Sequence, residues 1–156
     1  MKLLVDADSC PKDARELSLR AARRRGIQAV FAANRPIPGI GGESASMEVC
    51  PAGENAADDR LVELAEPGDL AVSRDLALAK RLLGKGVSVI DDRGRAFTQD
   101  SINELLSLRD FTVGLAENGM GVQRTAGYGP KARKLFADSL DRQLTRLLKM
   151  QGISHH

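Results

Sequence analysis

The hydrophobic positions of the chain fall into two kinds of pattern that take turns. Short, mainly apolar runs occur at 3–5 (LLV), 27–33 (IQAVFAA), 69–73 (DLAVS) and 87–90 (VSVI), with a weaker one at 46–50 (SMEVC). They have the length and apolar content of buried strands. Between them, apolar residues recur every three or four places, which predicts helices from Pro11 to about Arg25, over 54–65, over 76–83 and from Ser101 to about Asn118. The punctuation agrees. Gly26, Pro67-Gly68 and Gly84 close three of these stretches, and Pro11 suits a first helical turn. Ser101 with Glu104 three places later has the form of a capping box. The Pro- and Gly-rich segment 34–44 is a loop. A glycine-rich linker at 119–129 leads into a last helix, opened by Pro130, with Phe136, Leu140, Leu144 and Leu147 on one face.

Strands alternating with helices predict an α/β fold with a mainly parallel sheet of about five strands. Such sheets carry their sites at the carboxyl ends of the strands, near the point where strand order reverses. One domain over 1–150 accommodates the whole pattern, with 119–150 as a linker and helix packed upon it and 151–156 as a tail given no function.

Composition changes this picture little. Of the 156 residues 42% are hydrophobic and 3% aromatic, so the core is built from Leu, Val, Ile and Ala, and base stacking on exposed aromatic platforms is not expected. Charge changes it more. The net charge is +2, but from Gly121 onward seven basic residues (Arg124, Lys131, Arg133, Lys134, Arg142, Arg146, Lys149) face only Asp138 and Asp141, a local balance of +5 on an otherwise acidic body. That asymmetry points to a polyanionic partner, with Arg124, Lys131, Arg133 and Lys134 as the candidate contacts and Arg23 to Arg25 as a weaker set; a solvated helix face explains it as well. No run is long enough for a signal peptide or a membrane span. Cys10 and Cys50 then read as reduced thiols, and the expected location is cytoplasmic.

Carboxylates supply the candidate chemistry. The first strand ends in Asp6, and Asp8 follows two places on, which in an extended chain projects to the same side. Two like charges held together need a cation or a proton between them. Asp75 follows the fourth strand and is also a natural N-cap for the helix after it; Asp91 and Asp92 follow the fifth and also suit a turn before Arg93-Gly94. On its helix Asp58 shares a face with Leu61, Val62 and Ala65, so it points inward, whereas Asp59 shares a face with Val62, Glu63 and Glu66 and points to solvent. Ser9 and Ser73 are secondary candidates, as are Asp91 and Asp92. Carboxylates without clustered His or Cys favour Mg²⁺ or Mn²⁺ over Zn²⁺. There is no Ser-His-Asp or Cys-His arrangement, because the only histidines are His155 and His156, and no Walker motif.

The segments VDADSCP, AADDRLVELAEPGDLAVSRDLALA, RGRAFT, RDF at 109–111 and RKLFADSLDR, in that order from Lys2 to about Leu147, resemble the YaiI/YqxD family of small bacterial proteins. That family looks like a member of the PIN-like superfamily of metal-dependent nucleases, with a three-layer α/β/α fold. The resemblance implies acidic positions at the ends of the first and fourth strands and within the intervening helix: Asp6, Asp75 and Asp58, with Asp8 as an additional one from the family motif. The family has a neutral residue and Pro where this chain has Asp91-Asp92, so neither is carried over as essential.

The expectation is therefore a Mg²⁺- or Mn²⁺-dependent phosphodiesterase acting on RNA or single-stranded nucleic acid. Asp6, Asp58 and Asp75 are its metal ligands, and Asp8 is a ligand or base. Two rivals stand beside it. A haloacid-dehalogenase-like phosphatase also places Asp-x-Asp after its first strand, though Pro11 starts a helix at once and leaves no room for a flap. A protein that binds metal or RNA without turnover is the other.

Overall fold

In chain order the elements are β1 (Lys2–Asp6), α1 (Lys12–Arg25), β2 (Gln28–Ala33), β3 (Ala45–Val49), α2 (Ala56–Leu64), β4 (Leu70–Val72), α3 (Leu76–Gly84), β5 (Ser88–Ile90), β6 (Ala96–Phe97), α4 (Gln99–Glu117) and α5 (Pro130–Met150). They belong to a computed structural model that describes residues 1–51, 53, 55–117 and 127–152, with the backbone alone for 109–117. The strands form one sheet in the order β3-β2-β1-β4-β5-β6, every pairing parallel except β5 with β6.

A parallel sheet must be covered on both faces, which is why β1 has no polar residue between Lys2 and Asp6. Leu3 and Val5 enter one core cluster with Phe31, Leu70 and Val72, together with Ala14, Ala21 and Ala22 of α1 and Phe136, Leu140, Leu144 and Leu147 of α5. Leu4 enters the other, with Val30, Ala71 and Val89, Leu61 of α2, Leu78 and Leu82 of α3, and Ile102 of α4. Chain direction explains the division. From β1 the chain steps outward to β2 and β3, then returns to β4 and steps the other way to β5; right-handed crossovers in opposite directions put α1 and α3 on opposite faces. The reversal leaves a crevice between the carboxyl ends of β1 and β4.

The last helix ties the two ends of the sheet together. Ser139 Oγ donates to the Gly94 carbonyl at 2.7 Å beyond β5, and Gln151 Nε2 donates to the Gly68 carbonyl at 2.9 Å before β4. So α5 begins at the carboxyl edge and ends at the amino edge. Gly94 (φ 85°) is the point of contact: a Cβ there would lie 2.5 Å from the Leu135 carbonyl oxygen.

The pattern predicted most elements to within two residues, and three particulars differ. The sheet has six strands rather than about five, because two-residue β6 is too short to show any period; the turn closed by Asp91 N–H and the Arg95 carbonyl at 2.9 Å creates it. Ser101 and Glu104 are not the start of α4. Thr98 is, its Oγ1 accepting from Ser101 N–H at 3.1 Å while its own N–H donates to Ser101 Oγ at 2.8 Å, so Ser101 fills the reciprocal place that Glu fills in a capping box. Pro11 is extended (ψ 159°) and stands just before α1 rather than in its first turn. Most of the 119–129 linker lies outside the described residues.

Candidate functional site

Asp6 is the last residue of β1 and is 4% exposed. A buried carboxylate needs donors, and the next strand provides one: Ser73, the first residue after β4, donates from Oγ to Asp6 Oδ2 at 2.7 Å. The same Oγ accepts from Asp75 N–H at 3.0 Å. Asp75 then caps α3, its Oδ1 accepting from Leu78 N–H at 3.1 Å. One serine thus joins the ends of β1 and β4 and sets two acidic residues side by side at the crevice.

Asp58 reaches the same place from the first turn of α2. Its pKa is raised to about 7, first by burial, then by the charges of Asp6 and Asp75 and by a hydrogen bond to the Asp75 carboxyl; Arg81 opposes the shift but is itself paired with Asp59 at 2.8 Å. Asp6 is raised as well, chiefly by burial, with Ser73 and Ser9 pulling the other way and Asp75 and Asp8 adding to it. None of Asp6, Asp58 and Asp75 has a Lys or Arg ion pair among the described residues. Asp6 and Asp58 therefore both carry the repulsion of Asp75, and among the described residues only Arg81, already paired with Asp59, acts against it at Asp58. Also among the described residues, no set of three or more His, Cys, Asp and Glu side chains is gathered into a metal cage. In kind, however, an all-oxygen donor set suits a hard divalent ion, which keeps its waters and uses only one or two carboxylates directly.

The other sequence candidates lie apart in role. Asp8 is not on the strand: residues 7–9 turn, with Ser9 N–H donating to the Asp6 carbonyl at 3.2 Å, so the alternation of strand side chains does not set its direction, although its charge still reaches Asp6. Asp8 is exposed, and its Oδ2 accepts from Asn34 N–H at 2.8 Å, holding the loop after β2. Ser9 Oγ donates to the Asp6 carbonyl and accepts from Arg74 N–H, both at 3.2 Å. Asp91 Oδ1 accepts from the N–H groups of Arg93 and Arg95 at 2.9 Å each, the turn role. Asp92 is 3% exposed, its carboxyl raised mainly by burial, with Arg74 Nε 3.6 Å from its Oδ1. Lys131, Arg133 and Lys134 are exposed at the start of α5, Lys134 lying 3.5 Å from Asp138, and Arg124 lies outside the described residues. Cys10 and Cys50 are free; burial pushes the Cys10 thiol up, leaving it protonated.

Two residues near the site were not singled out from the sequence. Arg74 lies between Ser73 and Asp75, so its position was available as a signal. Tyr128, the single tyrosine, carried no signal because only the packing of α5 brings it here. Both line a cleft next to the carboxylates. No helix among the described residues is long and apolar enough to cross a membrane.

The family described as "Uncharacterized BCR, YaiI/YqxD family" matches residues 4–146. A "UPF0178 protein" of Treponema denticola is 44% identical over 153 residues, covering 98% of this chain and 97% of that protein. Proteins of the same name from Treponema pallidum and Myxococcus xanthus are each 43% identical, covering 96% and 97% of this chain and 85% and 99% of their own. No solved structure matches the chain.

Proposed function

The chain belongs to the YaiI/YqxD family, and on that footing we propose that it is a metal-dependent phosphodiesterase of PIN-like, three-layer α/β/α architecture, acting on RNA or other single-stranded nucleic acid. The observation that carries the reading is the group of Asp6, Asp58 and Asp75 at the crevice between β1 and β4, which has no Lys or Arg ion pair among the described residues, with Asp58 raised to about 7 by burial first and then by Asp6 and Asp75. Carboxylates crowded without a basic partner are costly unless a cation joins them. Mg²⁺ or Mn²⁺ would be held by these three residues, and it would lower the pKa of a bound water and offset charge on the phosphate. The protein's own part is orientation and proton balance. Ser73 fixes the direction of Asp6 and the place of Asp75. Asp58 holds or releases a proton near neutrality. The basic start of α5 at the same edge supplies attraction for a phosphate backbone. A phosphatase using Asp6 and Asp8 as a pair draws no support from the turn that separates them.

The test pairs stability with chemistry. Mn²⁺ should raise the melting temperature of the wild type by binding the folded state alone. Asp75→Asn keeps an N-cap but removes a charge; without metal it should melt at or above the wild type, and it should lose most of the Mn²⁺ response and all cleavage of a mixed single-stranded RNA pool. An equal Mn²⁺ response in the two proteins ends the reading. A response with no cleavage of any pool leaves a protein that binds metal without turnover.

A further inference from the structure

Beside the carboxylates lies a cleft of about 440 Å³ whose walls come from four separate segments: Ser9 and Cys10 after β1, Arg74 after β4, Asp92 and Arg93 after β5, and Tyr128 before α5. Its position is set by covalent connection. Arg74 sits between Ser73, which holds Asp6, and Asp75, so the cleft and the carboxylate group share a wall.

Two arginines line this space, one following β4 and one following β5. Arg74 is half exposed, and its contact with Asp92 at 3.6 Å is at the long end of an ion pair, which leaves most of its five N–H donors available to a ligand. Arg93 stands over the Tyr128 ring, 5.9 Å from the centroid, and donates to the Gly127 carbonyl at 3.4 Å. An arginine braced on an aromatic face loses little freedom when it meets a phosphate. The Tyr128 hydroxyl is buried and has no hydrogen-bond partner among the described residues. Two acids also line the cleft: Asp8, exposed, with Oδ2 accepting from Asn34 N–H, and Asp92, buried, with Arg74 Nε 3.6 Å from its Oδ1. Lys131, Arg133 and Lys134 follow Tyr128 within six residues and are exposed. The volume suits one nucleotide of an extended strand rather than a duplex.

We infer that this cleft is the subsite for the phosphate of the nucleotide next to the one cleaved, on a single strand, with Arg74 and Arg93 as phosphate ligands and the Tyr128 ring as the brace of Arg93. It rests on the proposed phosphodiesterase reading of the carboxylates and adds to it where the strand runs: across the carboxyl ends of β1, β4 and β5 toward the start of α5.

The experiment measures binding apart from cleavage. Fluorescence anisotropy of a short labelled single-stranded oligouridylate in EDTA keeps the strand intact. Arg74→Gln and Arg93→Gln should each weaken binding about tenfold, and each should reduce the slope of log affinity against log salt by about one. Tyr128→Phe, which keeps the ring under Arg93, and Lys149→Gln, at the far end of α5, should leave it unchanged. Thermal unfolding checks that each variant is folded; Arg74→Gln, at a half-exposed position, serves if Arg93→Gln is not. Inorganic phosphate should compete only at far higher concentration than the strand, and equal competition would overturn the assignment to a strand. Wild-type affinity and salt slope in folded Arg74→Gln would overturn the subsite. Cleavage of RNA with Arg74 and Arg93 variants unaffected in KM and in binding removes the subsite and keeps the phosphodiesterase. Binding that depends on both arginines without cleavage removes the phosphodiesterase and keeps the subsite.

Discussion

Asp58 gives the residue scale its clearest pH signature. Its carboxyl goes from an ordinary value of 3.8 to about 7 on folding, so the folded protein binds a proton that the unfolded chain has released. Stability from this group is therefore full below about pH 4, falls as pH rises toward 7, and is flat above. Asp58→Asn should remove that slope, so its melting temperature at pH 8 without metal should equal or exceed the wild type's, by roughly 2–4 °C per kcal/mol relieved. Melting curves of both proteins from pH 4 to pH 8 decide it, and parallel curves would place Asp58 away from the other acids. Ser73 tests the same site from its support. Ser73→Ala leaves Asp6 buried without its hydroxyl donor and raises its carboxyl further, and it should cost roughly 1–3 kcal/mol in urea unfolding at pH 8. A cost of a few tenths would mean that water replaces the hydroxyl freely.

At the scale of elements, two glycines with nearly the same backbone separate strain from packing. Gly94 (φ 85°) and Gly39 (φ 86°) both lie where an L side chain is strained, but a Cβ at Gly94 meets the Leu135 carbonyl at 2.5 Å and Ser139 Cβ at 2.7 Å, while at Gly39 nothing lies within 4 Å. Gly39→Ala should cost about 1 kcal/mol and Gly94→Ala about 2 kcal/mol more, because the latter also pushes α5 off the turn after β5. Equal losses in denaturant unfolding would mean that α5 is not seated there. The elements also show where sequence patterns carry information. The runs LLV and LAV were legible because a strand covered on both faces is apolar throughout, and the amphipathic face of α5 was legible from Phe136 to Leu147. β6 and the Thr98 cap were not, since one is made by a turn and the other by a serine in a glutamate's place. Of the site, Asp6, Asp58 and Asp75 could be placed by strand ends and helix period. Asp8 could not, because the rule of alternate sides stops where the strand stops.

For the whole molecule the governing feature is charge on one edge. The basic residues at the start of α5 stand at the carboxyl edge with the acidic crevice, and under the proposed reading a strand would be drawn to the edge by one charge and meet the other. Arg133→Ala with Lys134→Ala should weaken nucleic-acid binding and flatten its salt dependence by about two units of slope if both contact phosphates, and by about one if the Lys134–Asp138 pair is kept. Affinity indifferent to salt and to the double substitution would leave this face merely solvated. Tyr128 and Arg74 escaped the sequence at this scale, since only the assembled edge brings residues 9, 74, 93 and 128 together.

The placement of α5 also governs how the protein comes off the ribosome. Every strand emerges before it, and β1 must wait for residues 70–72 to complete its pairing on the second side. Until Pro130 to Met150 follow, the sheet face of Leu3, Val5, Phe31 and Val72 lacks Phe136, Leu140, Leu144 and Leu147 as cover. Nascent chains halted before α5 should thus be the dye-binding, chaperone-engaged species of this protein's synthesis, and they should lose both properties once α5 has cleared the ribosome.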